Sequence, residues 1–441
     1  MGKRNREKRA AKKRNRPRPD ATKPGHEPDD FWVPPTNLSA GLLANTLLAA
    51  AREHSMGDTN TAAACAAELS SSRFARDQRT VATGAGIALN MVLTSLWETG
   101  WLPADAWEIT RRNSDAASVS LLVDVIAEDI DQYNSSTVDD RWAAQVQRLG
   151  ATVWWNRDSP HLPQWAERAG VHFELALRVT ITLMAALMPL PELPRIVPPP
   201  GTASRRSAAS VSGVDQKILA RVRALLAKAE STQFPEEAEA LSAKAQELMN
   251  RHAFERALLD ADTQRQQAAT STRLWLDNPY VEAKSSLVAT IAEANRCKSV
   301  FYAKLGFVAL VGEEMDLEIT ELLATSLLVQ ATRAMVAEGS HTTRSGMSRT
   351  RSFRRSFLIS YAVRIGERLK EAGARAHDPS EDARLLPVLA NRSRVVEETF
   401  RSMFRHAVQK STSVTNGAGW DAGRAAADRA NLTIDRQAVN S

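Results

Sequence analysis

The sequence predicts a mainly α protein with a helical N-terminal bundle, a helical hairpin, and a C-terminal α+β region holding a short two-stranded β-hairpin. Three observations predict it. Apolar residues recur at helical spacing through most of the first 190 residues, with little β-branched alternation between them. Residues 215–252 divide into two amphipathic halves at a break over 231–234. Only 299–303 and 306–311 carry the short apolar pattern of strands.

Residues 1–35 are expected to form a disordered basic arm. The first 24 residues hold eleven Lys or Arg against Glu7 and Asp20, a local net of +9 in a chain whose net is +6, so the remainder sums to −3. The high isoelectric point therefore belongs to the arm. It lacks the apolar core of a signal peptide and is too polar to fold alone. Such an arm binds RNA, DNA or an anionic surface through charge; a solubilising tail is the other reading.

Residues 36–188 form the expected helical N-terminal domain, with helices at 38–52, 61–69, 81–97, 117–131, 140–149 and 165–188. The apolar run near 171–190 is interrupted by Glu174 and Arg178, which leaves 179–190, too short to span a bilayer. It reads as a buried core helix, with no membrane partner. Only Cys65 and Cys297 are present, far apart, which argues against a disulfide framework or a cysteine-bound structural zinc and predicts a cytoplasmic location. Within this domain, Asp105 follows Pro103 and reads as a helix cap rather than a catalytic acid. Trp97, Trp101, Trp107, Trp142, Trp154 and Trp155 read as packing residues, with base stacking as the sharper alternative.

Residues 189–213 hold six prolines up to Pro200 and then a Gly/Ser/Ala stretch, the composition of a domain linker. The hairpin comes next, over 214–255. Its first helix carries Ile218, Val222, Leu225 and Ala229 on one face. Its second starts at Pro235, where Glu236 and Glu237 suit the positive end of a helix dipole, and buries Ala238, Leu241, Ala245, Leu248 and Met249. His252 shares that face and reads as a histidine satisfied at the helix end. Lys217, Arg221 and Lys228 line a flank of the first helix and are candidate phosphate contacts, a solvated face being the alternative.

The hairpin also carries a resemblance. Lys217, Leu225, Leu226, Ala227-Lys228-Ala229-Glu230-Ser231, Phe234-Pro235-Glu236-Glu237-Ala238, Ala243-Lys244-Ala245, Leu248-Met249 and His252 resemble the bacterial and phage domain-of-unknown-function family 2786. The departure is Ala253-Phe254, where the family has a glycine soon after the histidine. Gly100-Trp101-Leu102-Pro103-Ala104-Asp105-Ala106-Trp107 and Arg141-Trp142-Ala143-Ala144-Gln145 are similar to segments that precede the hairpin in actinobacterial members. Residues 352–369, SFRRSFLISYAVRIGERL, resemble the segment C-terminal to the hairpin in many members, extending the likeness over 215–372. The resemblance implies an actinobacterial type with an N-terminal helical extension, in a family with no established activity. The excess of arginine over lysine, 44 to 13, agrees with such a source or its phage.

Residues 256–283 read as a loose connector. An α-β-β-α unit plus further helices is expected over 284–410, with helices at 287–295, 313–337, 353–371 and 395–410. A Gly/Ala-rich C-terminal helix and tail occupy 411–441. There Gly419 and Gly423 read as a close-packed helix start rather than a phosphate-binding turn, since no dinucleotide or P-loop fingerprint surrounds them.

No HExxH, GxxxxGK[ST], GxSxG or kinase signature occurs. The eight histidines are scattered without ligand spacing, so no catalytic residue, metal or cofactor is assigned. The strongest remaining signal is Arg344, Arg349, Arg351, Arg354 and Arg355, with no acid between Thr343 and Ser356. Five guanidinium groups on a loop entering a helix suit phosphate contacts; a solvated loop, or pairing of Arg354 and Arg355 with Glu313, Glu314 or Glu318, is the other reading. The expected function is nonspecific binding of RNA or DNA through backbone charge. The alternatives are a nucleotide- or nucleic-acid-processing enzyme using Glu313, Glu314 and Asp316, and an interaction module whose hairpin receives a protein partner's helix.

Overall fold

A computed structural model describes residues 39–203, 269–342, 348–375, 382–405 and 416–430, together with Lys217, Ala220, Arg221, Ala224, Leu225 and Leu248. Those six isolated residues are all helical; the remainder of the expected hairpin, His252 included, lies outside the described residues, as does the basic arm.

Eight helices build the N-terminal part: α1 (Ala40–Ser55), α2 (Thr59–Ser70), α3 (Gln78–Glu98), α4 (Pro103–Asn113), α5 (Ala116–Asp131), α6 (Asp140–Arg148), α7 (His161–Ala169) and α8 (Phe173–Leu187). Ser39, Asp58, Asp115 and Asp139 cap α1, α2, α5 and α6 by accepting backbone N–H groups. The helix expected over 165–188 is two helices meeting at 108°. Gly170 takes φ +66°, a left-handed C-cap that closes α7 and turns the chain into α8. Helix α3 is long and apolar enough to cross a bilayer, yet Val81, Ala85, Leu89, Leu93 and Leu96 lie at the centre of the bundle. Gly84 lets α1 approach, because a Cβ there would stand 2.9 Å from the Ala40 carbonyl oxygen.

Trp97 Nε1 donates to Asp129 Oδ2 at 2.9 Å inside this core. Burial raises the Asp129 carboxyl from 3.8 to about 6, and the tryptophan bond only partly offsets it. The unfolded chain releases this proton near 3.8 while the folded chain keeps it until about 6, so stability falls as pH rises through that window and stays lower above it. The Asp129→Asn variant, which retains an acceptor for Trp97, should gain about 1–2 kcal/mol at pH 8 and little at pH 3.5. Urea unfolding at the two pH values measures the difference, and an equal effect at both would contradict the assignment.

The C-terminal part consists of β1 (Thr270–Trp275), α9 (Val281–Ala294), β2 (Lys298–Tyr302), β3 (Phe307–Gly312), α10 (Glu314–Ala337), α11 (Thr350–Arg375), α12 (Asp382–Met403) and α13 (Gly417–Asp428). The expected two-stranded hairpin is the β2–β3 half of a three-stranded antiparallel sheet ordered β1-β3-β2, with Trp275 and Tyr302 both opposite Phe307. Its third strand lies within the stretch 256–283, which was expected to be a connector. Helix α12 begins at Asp382 rather than 395, running through Pro387, which would ordinarily end a helix.

β3 is buried along its whole length, and its side chains alternate between two cores. Phe307, Ala309 and Val311 join the N-terminal bundle's core, with Val396 and Phe404. Val308 and Leu310 join a second core built by α9, α10, α11 and α13. In that core α13 rests on α11 through Gly419 and Gly423, so the close-packed reading of these glycines holds.

The first part of the expected linker is also packed. Leu193 and Val197 are buried, Trp101 Nε1 donates to the Pro191 carbonyl oxygen at 2.8 Å, and the Leu193 N–H donates to Thr99 O at 2.9 Å. Proline content alone cannot separate a free spacer from a segment laid onto a surface; the Gly/Ser/Ala half, 204–213, lies outside the described residues.

Candidate nucleic-acid interface

The arginine-rich segment spans the approach to α11. Thr342 and Ser348 form an isolated antiparallel bridge, and the Arg349 N–H donates to the His341 carbonyl oxygen at 2.8 Å. Thr350 Oγ1 accepts the His341 N–H at 3.0 Å and returns a bond to its carbonyl at 3.2 Å. The His341 ring stacks on Phe353, with centroids 3.5 Å apart and planes inclined by 18°. These contacts tie the base of the loop to the first turn of α11.

The five arginines divide. Arg349 and Arg351 are exposed, and among the described residues neither is in an ion pair. Arg354 is half-buried, its Nε without a hydrogen-bond partner among the described residues. Arg355 lies 3.6 Å from Glu282 on α9. Arg344 lies outside the described residues. The first turn of α11 holds no acid, so its positive dipole end is reinforced by the arginines rather than neutralised. Of the hairpin candidates, Lys217 and Arg221 are exposed and Lys228 is outside the described residues.

The acids considered for an enzyme are mostly occupied. Asp316 is buried and receives Arg296 Nη2 at 2.6 Å and Nε at 3.1 Å. Glu313 lies 3.2 Å from Arg392 Nε, while Glu314 is exposed in the first turn of α10. No group of three metal-ligating side chains forms among the described residues. Burial pushes the Cys65 thiol to about 11 and Cys297 to about 12, so both stay protonated and unreactive at neutral pH.

The tryptophan-rich element takes a structural place. Asp105 Oδ2 accepts the Leu102 N–H at 3.3 Å, as a capping residue does, and the same carboxylate pairs with Arg273 of β1 and accepts Trp275 Nε1 at 2.8 Å. Arg273 also donates to the carbonyl oxygens of Gly100 at 3.0 Å and Pro194 at 2.7 Å. Arg112 bonds Leu276 O at 2.8 Å and lies over the Trp275 ring. Gln145 Oε1 accepts the Ala104 N–H at 3.1 Å, and Arg141 Nη1 bonds Thr270 Oγ1 at 2.6 Å. The two segments on either side of α5, both singled out in the sequence, thus meet at β1. Trp97, Trp101, Trp142 and Trp155 are buried, Trp107 is half-buried, and Trp154 is 37 % exposed with Arg168 over its ring.

The family model described as "Protein of unknown function (DUF2786)" matches residues 217–256. The chain carries a DUF2786 segment. The match ends at residue 256, short of the 372 to which the likeness is expected to extend. No curated protein and no solved structure matches the chain. Within the DUF2786 segment, Leu225 and Leu248 pack against the second core, the core that also contains Phe353 and Phe357 of α11. Those two leucines and the arginine-bearing helix therefore share one hydrophobic core, and exposed Lys217 and Arg221 stand on the matched segment itself.

One pair of residues was not legible in the sequence. His161 and Asp124 are 37 positions apart and come together at 2.9 Å beside a cleft in the N-terminal bundle. Scattered histidines carry no spacing signal, so only the tertiary fold shows the pair.

Proposed function

We propose that this protein binds nucleic acid through the phosphate backbone, without reading base sequence, and that it does so in the cytoplasm. The supporting observation is the display of Arg349 and Arg351: exposed, free of ion pairs among the described residues, and held at the start of a 26-residue helix with no acid in its first turn. Guanidinium groups and the positive end of a helix both favour phosphate, and the tied loop base lowers the entropy lost on binding. Lys217 and Arg221 extend the basic character to the DUF2786 segment, and the +9 arm supplies long-range attraction. The two buried free thiols fit a reducing compartment.

The test is a titration of the full chain with a fluorescent DNA duplex and an RNA hairpin across a salt series. Affinity should fall steeply with salt for both. The Arg349→Ala/Arg351→Ala variant should bind roughly tenfold more weakly, with a salt slope shallower by about two. Binding that ignores salt, or that is unchanged in the variant, would overturn the assignment to this loop.

A further inference from the structure

A cavity of about 620 Å³ opens among α3, the end of α5 and the segment 153–162 that leads into α7. That volume is in the range of small-molecule sites, roughly 300–1,000 Å³. Ala82, Leu89, Val125, Trp155 and Leu162 supply its apolar wall. Two arginines reach its rim, and both are engaged: Arg157 pairs with Asp131, and Arg79 donates to the Asp158 carbonyl oxygen at 2.7 Å. Glu128, Asp131 and Asp158 outnumber these two arginines in the lining, so the cavity offers an anion no net positive charge.

Two residues mark the cavity as more than a packing gap. Gly86 lies on its wall in the interior of α3, where a helix disfavours glycine, and a Cβ there would meet nothing within 4 Å. Packing explains Gly84 two residues earlier but makes no demand at Gly86; what its missing side chain provides is room in the cavity. The second is His161, only 8 % exposed yet lining the cavity. Its Nε2 is 2.9 Å from Asp124 Oδ2, which also accepts Trp154 Nε1 at 2.8 Å. A carboxylate oxygen accepts, so Nε2 carries a proton, and in the neutral imidazole Nδ1 is then the acceptor. Nδ1 has no hydrogen-bond partner among the described residues. The Trp155 ring lies 4.2 Å from the imidazole, centroid to centroid, and holds it in place.

We propose that this cleft binds a small, neutral, flat ring compound, packed against Trp155 and the apolar wall and donating one N–H or O–H to His161 Nδ1. The site is separate from the arginine loop and does not depend on nucleic-acid binding.

Phenol, indole and toluene are suitable probes, titrated into the full chain by ligand-observed NMR. Phenol and indole should bind, and phenol at least about tenfold more tightly than toluene, which has the same ring but no donor. The Gly86→Leu variant fills the cavity without meeting a neighbour at Cβ, so it should keep or raise the melting temperature and lose at least about tenfold in affinity for phenol and indole. The proposal is overturned if neither probe binds the wild type, if toluene binds as well as phenol, or if a folded Gly86→Leu protein binds phenol unchanged. The comparison of phenol with toluene on the wild type stands even if the variant fails to fold.

Discussion

Replacing Arg273 with leucine should destabilise the protein by about 3–5 kcal/mol, because it strands a buried carboxylate. The Arg273 and Asp105 side chains are 3 % and 5 % exposed, and the guanidinium also satisfies the Gly100 and Pro194 carbonyl oxygens. Removing it leaves Asp105 with the Leu102 N–H and Trp275 Nε1 alone, in a place water does not reach. The loss is a penalty for an uncompensated charge rather than the worth of the pair. The Arg273→Leu/Asp105→Leu double variant should therefore recover much of the stability, although it gives up the same ion pair. Urea unfolding of the wild type, both single variants and the double variant closes the cycle. Single-variant losses that simply add in the double variant would show that the two side chains act independently, contrary to the contact described.

Gly423→Val should cost about 3 kcal/mol, at the upper end for overpacking a tight contact. A Cβ at Gly423 would stand 2.2 Å from the Phe357 carbonyl oxygen, and one at Gly419 would stand 2.4 Å from the Phe353 carbonyl oxygen. Both obstacles are backbone, so no side-chain rotation relieves them, and α13 must lift from α11 as a unit. Ser360 Oγ–Trp420 O, Arg364–Asp428 and Arg424–Glu367 would all loosen with it. Gly417→Ala is the matched control: it lies in the same helix and meets nothing within 4 Å, so thermal unfolding should leave it near the wild type. A Gly423→Val protein as stable as that control would disprove the close approach.

The long helices were legible because each carries an apolar stripe at helical spacing, and observed ends such as Ala116–Asp131 fall close to those expected. β1 was not legible. Its sequence, TSTRLW, presents Arg273 and Trp275 among polar residues, and only the tertiary partner Asp105 makes that strand face a buried one. The break at Gly170 was hidden because apolar residues continue on both sides of it. Asp105 was recognised as a cap, but its pairing across 168 positions with Arg273 has no local signature. The arginine cluster was visible as composition, whereas its division into exposed Arg349 and Arg351 and the Glu282-paired Arg355 depends on how α9 packs beside α11.

The alternation of β3 between two cores bears on how this molecule comes apart. Phe307, Ala309 and Val311 cannot leave the N-terminal core unless Val308 and Leu310 leave the other, since they share one six-residue strand. The two described parts, though far apart in sequence, are thus keystones of each other, and cutting between residues 203 and 269 should not free two self-sufficient pieces. Thermal or chemical unfolding then has one cooperative step rather than two, and damage to either half is felt as loss of the whole.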